Sequence, residues 1–377
     1  MITLSNINIS HVLYPRIDLA GIRLGVGGGG REQTSPIPGL EGVLGLYSGK
    51  GLTNEQMSAN PVWKDKSGLG NDLQMKNFLW NLGSGCGNYK ENYRGSRWIK
   101  SAVRADLTWT DHSINITSVK INSAIVYYQA YSEQPSFTVP SYTVRISGLE
   151  NGQTIRYRQV TSEGYFYYDI KENGIYILPS FIFIGNLDWY GFILSKVQES
   201  CNITIEQIPD YSGAIVFDGV DDYGICETFP ILTKEKGYTV MALRKWLSRP
   251  NKALGLVSNV KDWFKNGAFI VEYNNTNDSK NYYNAPISFG RINISNTLPD
   301  LITYQTSIEY NGESITAGNF LSTDTLMVGT ASNYANVALY SLVIIDHDTT
   351  EEERQLAIDY WKKEFPELLT NPQKQII

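Results

Sequence analysis

The chain has 377 residues, a net charge of −6 and only 19% charged residues. That length is enough to bury a sizeable core, and an acidic chain has no basic field to hold phosphates, which argues against nucleic acid as a partner. The most apolar window, residues 174–194, is interrupted by Pro179, Gly185 and Asp188, so it predicts buried strands and argues against membrane insertion. The 25 tyrosines and 33 glycines are typical of an all-β protein with many turns.

Residues 1–40 are predicted to form an N-terminal attachment arm and linker. Residues 9–26 are too apolar to stay solvated, yet their apolar residues have too little periodicity for the segment to fold alone. We therefore expect this segment to become ordered when it binds a partner. The glycines of "GVGGGG" and the prolines of "SPIPG" then form the linker. The glycine run matches GxGxxG, but no helix can open after it, which argues against a dinucleotide site. The start also lacks the basic and apolar regions of a secretory signal.

Strand patterns fill the middle of the chain. Residues 41–104 are rich in turns and carry Trp63, Trp80 and Trp98. Residues 105–209 alternate polar and apolar residues in "SYTVRISGL", "QTIRYRQV" and "YFYYDI", with turns at two "ENG" sequences, and so predict a β-sandwich of about 100 residues. After "IPDYSG" the strand pattern resumes with longer spacing up to "SLVIID".

One helix is predicted near the C terminus, in "TTEEERQLAIDYWKKEFPEL", and a tail follows at 367–377. Thr350 can cap the helix with Glu353 three residues on, and Pro366 stops it. Apolar side chains fall on one face, which should dock on a sheet: Leu356, Ala357, Tyr360, Trp361 and Phe365.

The chain lacks the usual sequence signatures of a hydrolase or a zinc protein. Its histidines, His11, His112 and His347, lie in three different segments, and no GxSxG sequence occurs. The cysteines have no CxxC spacing, which argues against a zinc site and a disulfide framework and predicts buried small apolar residues: Cys86, Cys201 and Cys226.

The stretch "AIVFDGVDDYGICETF" places the carboxylates of Asp218, Asp221 and Asp222 in a strand, turn and strand pattern. Asp218 followed by Gly219 predicts a tight turn in which the Asp218 carboxylate accepts backbone N–H groups. If the chain is extended, Asp221 and Asp222 point to opposite sides, so at most one of them can share a site with Asp218. Calcium needs about six to eight oxygens, which here requires another loop and water. Turn architecture, a calcium site and half of an acid/base pair all remain open.

Two motifs and the chain's ending carry a family resemblance. The first motif is the turn in "PVWKDKSGLGNDLQMKNF", formed by Trp63, Asp65, Ser67, Gly68, Gly70, Asn71 and Asp72. The second is a strand entry at Phe217, Asp218, Gly219, Asp221, Asp222 and Tyr223. Together with the last strand and acidic-start helix, they resemble concanavalin A-like lectin/glucanase domains of the laminin-G-like type.

The resemblance implies a jelly roll formed by residues 41–104 and 210–366, interrupted by an inserted smaller β-sandwich at 105–209. The two motifs normally lie close together in this family, so an inserted domain is the simplest account of the residues between them. Glucanases of this fold carry a catalytic E-x-D-x-E strand, which does not occur in this sequence, so we expect no enzymatic activity.

The detached arm, the low charge and the richness in tyrosine and glycine also resemble appendage proteins of tailed bacteriophages. This resemblance implies a virion structural protein, a head or tail fibre, whose lectin-like domain binds host-surface glycans and whose arm binds other virion proteins. By analogy with fibres it also implies a homo-oligomer, a trimer. The alternatives are a glycan-binding module outside a virion and a glycoside-active enzyme of the same fold.

Sugar rings stack on aromatic side chains in lectins, which directs attention to the aromatic stretches "KDWFKNGAFIVEYNN" and "NYYNAP". They predict a ligand-binding site at Trp263, Tyr282 and Tyr283, on loops. The alternative is that these rings pack in the core or in an interface.

Overall fold

The computed structural model describes residues 18–19, 22–23, 35–129, 135–184, 188–247, 255–259, 270–271, 273–274, 280–283, 290–293, 300–310, 313–316, 323–330 and 333–369. Contacts divide the chain into two units, Met1–Thr34 and Ser35–Ile377. In the first unit, strands β1 (Asp18–Leu19) and β2 (Ile22–Arg23) form an antiparallel pair. The rest of this unit lies outside the described residues, so the binding of the arm to a partner stays a prediction.

The second unit is built from three consecutive blocks of sequence. The first block holds β3 (Val43–Ser48), α1 (Asn54–Ala59), β4 (Val62–Trp63), β5 (Leu73–Lys76) and β6 (Gly85–Cys86). The second holds β7 (Trp98–Lys100), β8 (Ala105–Trp109), β9 (Ser113–Val119), β10 (Ala124–Gln129), β11 (Phe137–Val139), β12 (Tyr142–Ser147), β13 (Thr154–Thr161), β14 (Gly164–Ile170), β15 (Gly174–Leu178), β16 (Phe181–Phe183), β17 (Trp189–Ser195) and β18 (Ser200–Ile208).

The third block follows β18 and runs to the C-terminal helices. It holds β19 (Ile215–Asp218), β20 (Tyr223–Cys226), β21 (Thr239–Trp246), β22 (Val257–Ser258), β23 (Ile270–Val271), β24 (Tyr273–Asn274), β25 (Lys280–Tyr283), β26 (Gly290–Asn293) and β27 (Asp300–Gln305). It continues with β28 (Ser307–Tyr310), β29 (Glu313–Thr316), β30 (Leu326–Val328), β31 (Asn336–Ile345), α2 (Glu351–Glu364) and α3 (Pro366–Leu369).

The first and third blocks together form one β-sandwich, called here the first sandwich. One sheet has the strand order β27-β21-β31-β19-β6, with β3 also paired to β31, and the other has the order β23-β22-β30-β20-β5-β4. Their inner faces share one core, in which Trp63, Phe217 and Val337 are buried. Strand β31 is buried on both faces because α2 covers its outer side, which explains its nearly unbroken apolar sequence.

Helix α2 docks on that outer side, as the sequence predicted. Thr350 Oγ1 accepts the N–H of Glu353 at 3.2 Å, and Glu353 Oε2 accepts the N–H of Thr350 at 2.8 Å, which completes the predicted capping box. Trp361 is fully buried and donates its indole N–H to Ser341 Oγ at 2.8 Å. Neither α2 nor any other helix in the described part of the chain is long and apolar enough to cross a membrane.

The first resemblance motif is a turn held by its own side chains. Asp65 Oδ1 accepts the backbone N–H groups of Leu46 at 3.0 Å and Ser67 at 2.8 Å. Asp65 Oδ2 accepts that of Asn71 at 3.0 Å, and Asp72 Oδ1 accepts that of Asp65 at 2.9 Å. Both carboxylates are therefore occupied by backbone donors, and their role is to fix the corner between β3, β4 and β5.

The second block forms the second sandwich. Its sheets have the orders β14-β13-β17-β10-β7 and β15-β12-β18-β9-β8, and their inner faces share a core that includes Ile114, Tyr157 and Phe192. Strands β14 and β15 are edge strands of the two sheets and are joined by the short turn at 171–173. Among the described residues, no strand pairs with the far edge of β14.

The predicted fold class is confirmed: the described residues are nearly all β, in antiparallel sheets, with a short C-terminal helix. One predicted boundary differs from the structure. Trp98–Lys100 pairs with β10 and Tyr93 belongs to the second core, although both were assigned to the jelly roll of residues 41–104. Because residues 35–377 form one unit by contacts, the independence of an inserted domain at 105–209 stays a prediction.

Candidate functional site

The acidic turn, residues 218–222, joins β19 of one sheet of the first sandwich to β20 of the other. Asp218 Oδ1 accepts the N–H of Val220 at 2.7 Å and Gly219 has a φ of 80°, which confirms the predicted tight turn. Asp222 Oδ2 accepts the N–H of Asp218 at 2.9 Å. The side-chain amide of Asn77 donates to the Asp221 carbonyl at 3.0 Å, so the turn is also held from a neighbouring loop.

The acidic turn brings three carboxylates together. One oxygen from each of Asp218, Asp221 and Asp222 lies within 4.8 Å of the other two. The expectation that at most one of Asp221 and Asp222 shares a site with Asp218 was therefore wrong. Residues 219–221 form a bend, so the alternation of an extended strand does not apply to them.

Burial dominates the electrostatics of the acidic turn. Asp222 is 0% exposed, and this loss of solvation raises the pKa of its carboxyl to about 7, with a further increase from the charges of Asp218 and Asp221. The Asp218 N–H and the Ser84 side chain act in the opposite direction. Asp222 Oδ1 has no hydrogen-bond partner, and within the described part of the chain no basic side chain forms an ion pair with any of the three carboxylates. The arrangement suits a hard cation, whereas a substrate cannot reach Asp222.

The predicted sugar-binding rings are only partly placed by the structure. Trp263 lies outside the described residues. Tyr282 and Tyr283 lie in strand β25 and not on a loop, because β25 pairs on both sides: Tyr282 is opposite Tyr273 and Arg291. Their assignment to a ligand stays a prediction.

The second sandwich exposes a group of rings that the sequence analysis did not single out. Tyr165 and Tyr167 in edge strand β14 are 59% and 50% exposed, and because side chains alternate along a strand they point the same way, about 7 Å apart. Trp189 of β17 and Tyr127 of β10 lie half-buried in the same sheet, beyond β13, with their ring centroids 5.2 Å apart. We call this group the aromatic face: Tyr127, Arg156, Arg158, Tyr165, Tyr167 and Trp189.

Arg158 holds the aromatic face together. Its guanidinium carbon lies 4.5 Å from the ring centroid of Tyr165 and 4.1 Å from that of Trp189. The same group donates to the Trp189 carbonyl and to Asp188 Oδ1, both at 2.8 Å. Its side chain is only 8% exposed, so Arg158 is a fixed plate between two rings and its charge is compensated by Asp188.

Arg156 forms the second charge pair of the aromatic face. It donates to both oxygens of Asp169, at 2.5 and 3.2 Å, and lies 5.4 Å from the ring centroid of Tyr167. The hydrogen bonds of this pair lower the pKa of Asp169 and raise that of Arg156. Each arginine of the aromatic face therefore has its own aspartate, and the surface presents rings without uncompensated positive charge.

A sequence signal for the aromatic face existed in "YFYY" of strand β14. Four consecutive aromatic residues, 165–168, place rings on both sides of a strand, and only one side can face the core. Here Tyr168 is opposite the buried Tyr157 on the core side, which leaves Tyr165 and Tyr167 outside. The alternation alone does not tell which pair is outside, because that depends on the partner strand.

A second concave surface lies where the two sandwiches meet. This cleft has a volume of about 310 Å³ and is lined by polar groups that include Lys50 and an ion pair between Arg145 and Glu206 at 2.9 Å. Its aromatic ring is that of Tyr89, which stacks on His112 with centroids 3.5 Å apart. One face of that ring is therefore covered, so the cleft is less suited to stacking than the aromatic face.

The cysteines and histidines considered in the sequence are mostly packed into the structure. Cys86 and Cys226 are buried as predicted, and Cys201 is half-buried. His112 is buried against Tyr89, and His347 lies between Asp346 and Glu353 at 3.0 and 3.2 Å. His11 lies outside the described residues.

The chain matches no protein-family model and no curated protein. Among solved structures it is similar to the N-terminal CBM22-1-CBM22-2 tandem domain from Paenibacillus barcinonensis Xyn10C. The sequence identity is 8% and the TM-score 0.20, with 71% of this chain and 98% of that chain covered. This similarity is too distant to support any statement about the ligand or activity of the present chain.

Proposed function

We propose that the chain is a lectin-like protein that binds glycans on the aromatic face of its second sandwich. The observation that supports this most directly is the pair of exposed rings on one side of β14, Tyr165 and Tyr167, beside the half-buried Trp189. Large apolar groups that stay exposed together in a soluble protein mark a binding surface. Aromatic rings supply an apolar plane for the C–H face of a sugar, while the tyrosine hydroxyls remain able to hydrogen-bond.

The charge pairs of the aromatic face indicate neutral glycans. An acidic sugar needs a free cation, but Arg158 is bound to Asp188 and Arg156 to both oxygens of Asp169. Taking either arginine away from its aspartate would leave a carboxylate without its partner. A neutral sugar can lie on the rings without disturbing either pair.

A polysaccharide panel tests this proposal. The purified chain is offered neutral and acidic bacterial polysaccharides at about 0.05 and 0.5 M salt, where screening separates ionic from stacking interactions. We expect binding to neutral polysaccharides that changes less than about twofold with salt, and loss of that binding in Tyr165→Ala/Tyr167→Ala. Binding that the double variant retains in full, or no binding to any polysaccharide, would contradict the proposal.

The second part of the proposal is that the chain is a virion protein that uses this glycan binding to attach to a host. The sequence resemblance supports a head or tail fibre that attaches to other virion proteins through residues 1–40 and binds glycans of the host surface. The alternative is the same glycan-binding protein outside a virion. Copurification with phage particles separates the two, and so does particle labelling with an antibody against the chain.

A matched deletion tests the attachment role of the arm. Removal of residues 1–35 is expected to leave glycan binding unchanged while it abolishes incorporation into particles and oligomer formation, since the described core residues lie after residue 35. A truncated chain that still assembles into particles would place the anchor elsewhere in the protein.

A further inference from the structure

The cleft between the two sandwiches has the features of a second binding site, separate from the aromatic face. Its volume of about 310 Å³ lies at the lower end of the range for small-molecule sites, which is roughly 300–1,000 Å³. Residues of both sandwiches line it: Arg145 and Glu206 on the outer face of β12 and β18, and Lys50 in the loop after β3. A ligand in this cleft therefore contacts both sandwiches.

Arg145 has donors that the protein does not use. Its side chain is 52% exposed, and its hydrogen bond within the described part of the chain runs from Nη1 to Glu206 Oε2, at 2.9 Å. The N–H groups on Nε and Nη2 remain available, and a guanidinium can hold a carboxylate through two parallel hydrogen bonds. The arginines of the aromatic face differ, because Arg156 and Arg158 each use two nitrogens on protein acceptors.

Lys50 adds a second positive charge to the cleft. Its Nζ donates to the backbone carbonyl of Glu364, whereas the carboxylate of Glu364 forms an ion pair with Lys66. Among the described residues that line the cleft, Lys50 and Arg145 are cations and Glu206 is the anion, so the cleft carries one surplus positive charge in a chain of net charge −6. A ligand with a single negative charge balances it.

We propose that the cleft binds a small acidic sugar, a monosaccharide that carries one carboxylate. The carboxylate bonds to the free edge of the Arg145 guanidinium, and Lys50 contributes its charge. The sugar hydroxyls bond to the Glu206 carboxylate and to the hydroxyls of Tyr89 and Ser212, which line the same cleft. A phosphate ester brings nearly two negative charges, more than the surplus of the cleft. The proposal does not depend on glycan binding by the aromatic face.

Calorimetric titration of the full chain with sodium glucuronate, glucose and glucose 6-phosphate tests the inference. At about 0.05 M salt we expect saturable binding of glucuronate, affinities about tenfold lower for the other two sugars, and weaker glucuronate binding at about 0.5 M salt, since screening weakens exposed charge pairs. Glucuronate without saturable binding overturns the proposal. Glucose bound equally well overturns the role of charge, and tighter binding of glucose 6-phosphate overturns the assignment to a carboxylate.

Matched variants locate the site. Arg145→Gln and Lys50→Gln are expected to weaken glucuronate binding by about tenfold and about threefold, and thermal unfolding checks that both variants fold. Lys120→Gln removes a cation outside the cleft and should change the affinity by less than about twofold. Tyr165→Ala/Tyr167→Ala should keep glucuronate binding, which separates this site from the aromatic face. Binding that Arg145→Gln retains in full overturns the inference.

Discussion

Glu91 places a carboxyl group inside the second sandwich, where nearly all other side chains are apolar. Its Oε1 accepts the hydroxyl of Tyr190 at 3.1 Å, and its Oε2 accepts the indole N–H of Trp98 at 3.2 Å. Burial raises the pKa of this carboxyl to about 7, although both hydrogen bonds act to lower it. Glu91 is therefore mostly protonated in the folded protein at pH 6.

This residue predicts a fall in stability as the pH rises. Between pH 4.5 and about 7 the unfolded chain has released the Glu91 proton and the folded chain still holds it, so each step up in pH favours unfolding. The loss should reach about 3 kcal/mol in the free energy of unfolding by pH 8. Urea unfolding at pH 5, 6, 7 and 8 measures it.

The matched variant is Glu91→Gln, which resembles the protonated acid in shape and hydrogen bonding. It should abolish this part of the pH dependence and be more stable than the wild type at pH 8, whereas Glu172→Gln, at an exposed turn of the same sandwich, should change neither. A wild-type chain whose unfolding free energy is flat between pH 5 and 8 would contradict a buried protonated Glu91.

Among the secondary-structure elements, α2 was the most predictable, because its signals are local. The cap, the acidic first turn and the apolar face can all be read within twenty residues of sequence. Strand β14 was also predictable as a strand, from its period and its flanking turns. The role of β14 was not predictable, because the exposure of Tyr165 and Tyr167 depends on whether another layer covers the outer face of their sheet, which no local pattern encodes.

The N-cap of α2 gives a testable prediction about the stability of this helix. Thr350→Ala removes the acceptor for the Glu353 N–H and should lower the free energy of unfolding by about 1 kcal/mol. Thr350→Ser keeps a hydroxyl at that position and should recover most of the loss. Chemical denaturation of the three proteins measures both effects, and an unchanged Thr350→Ala variant would show that water replaces the cap at no cost.

On the scale of the whole molecule, the chain crosses between the two sandwiches at 88–91 and 207–210. Gln207 is almost fully buried there, and its side-chain amide donates to the Glu91 carbonyl at 2.9 Å while its Oε1 accepts the Glu91 N–H at 3.1 Å. Lys90 and Asp210 form an ion pair at 2.8 Å. The ends of the second sandwich are thus held side by side, as an insertion requires.

Because its two ends are held together, we predict that the segment 88–210 folds without the rest of the chain. Their core contains residues of this block alone, so the fragment should unfold cooperatively and bind the same glycan as the full chain within about threefold. Circular dichroism during thermal unfolding and calorimetric titration provide the two readouts. A fragment without cooperative unfolding would show that the second block depends on the first sandwich.

The sequence predicts a second sandwich at residues 105–209, and in the structure the strands and core of the second sandwich begin earlier. Regular alternation of polar and apolar residues begins at residue 105, whereas the core of the second sandwich also contains Tyr93 and Trp98, whose rings pack edge to face at 5.0 Å. These residues lie in a turn-rich stretch and join the core only through contacts with distant strands. The acidic turn was also predicted only in part. The sequence identifies its three aspartates, but their carboxylates come together only because residues 219–221 form a bend.

The central claim is that Tyr167 and its neighbours bind sugar, and one pair of variants tests it most directly. Tyr167 and Tyr168 are adjacent residues of the same type in the same strand, 50% and 40% exposed, but they point to opposite sides of β14. With the strongest-binding neutral polysaccharide, calorimetric titration should show affinity reduced about tenfold in Tyr167→Ala, since one stacked ring contributes about 1 kcal/mol or more. Tyr168→Ala should bind within about twofold of the wild type. Equal affinities of the two variants would contradict the account.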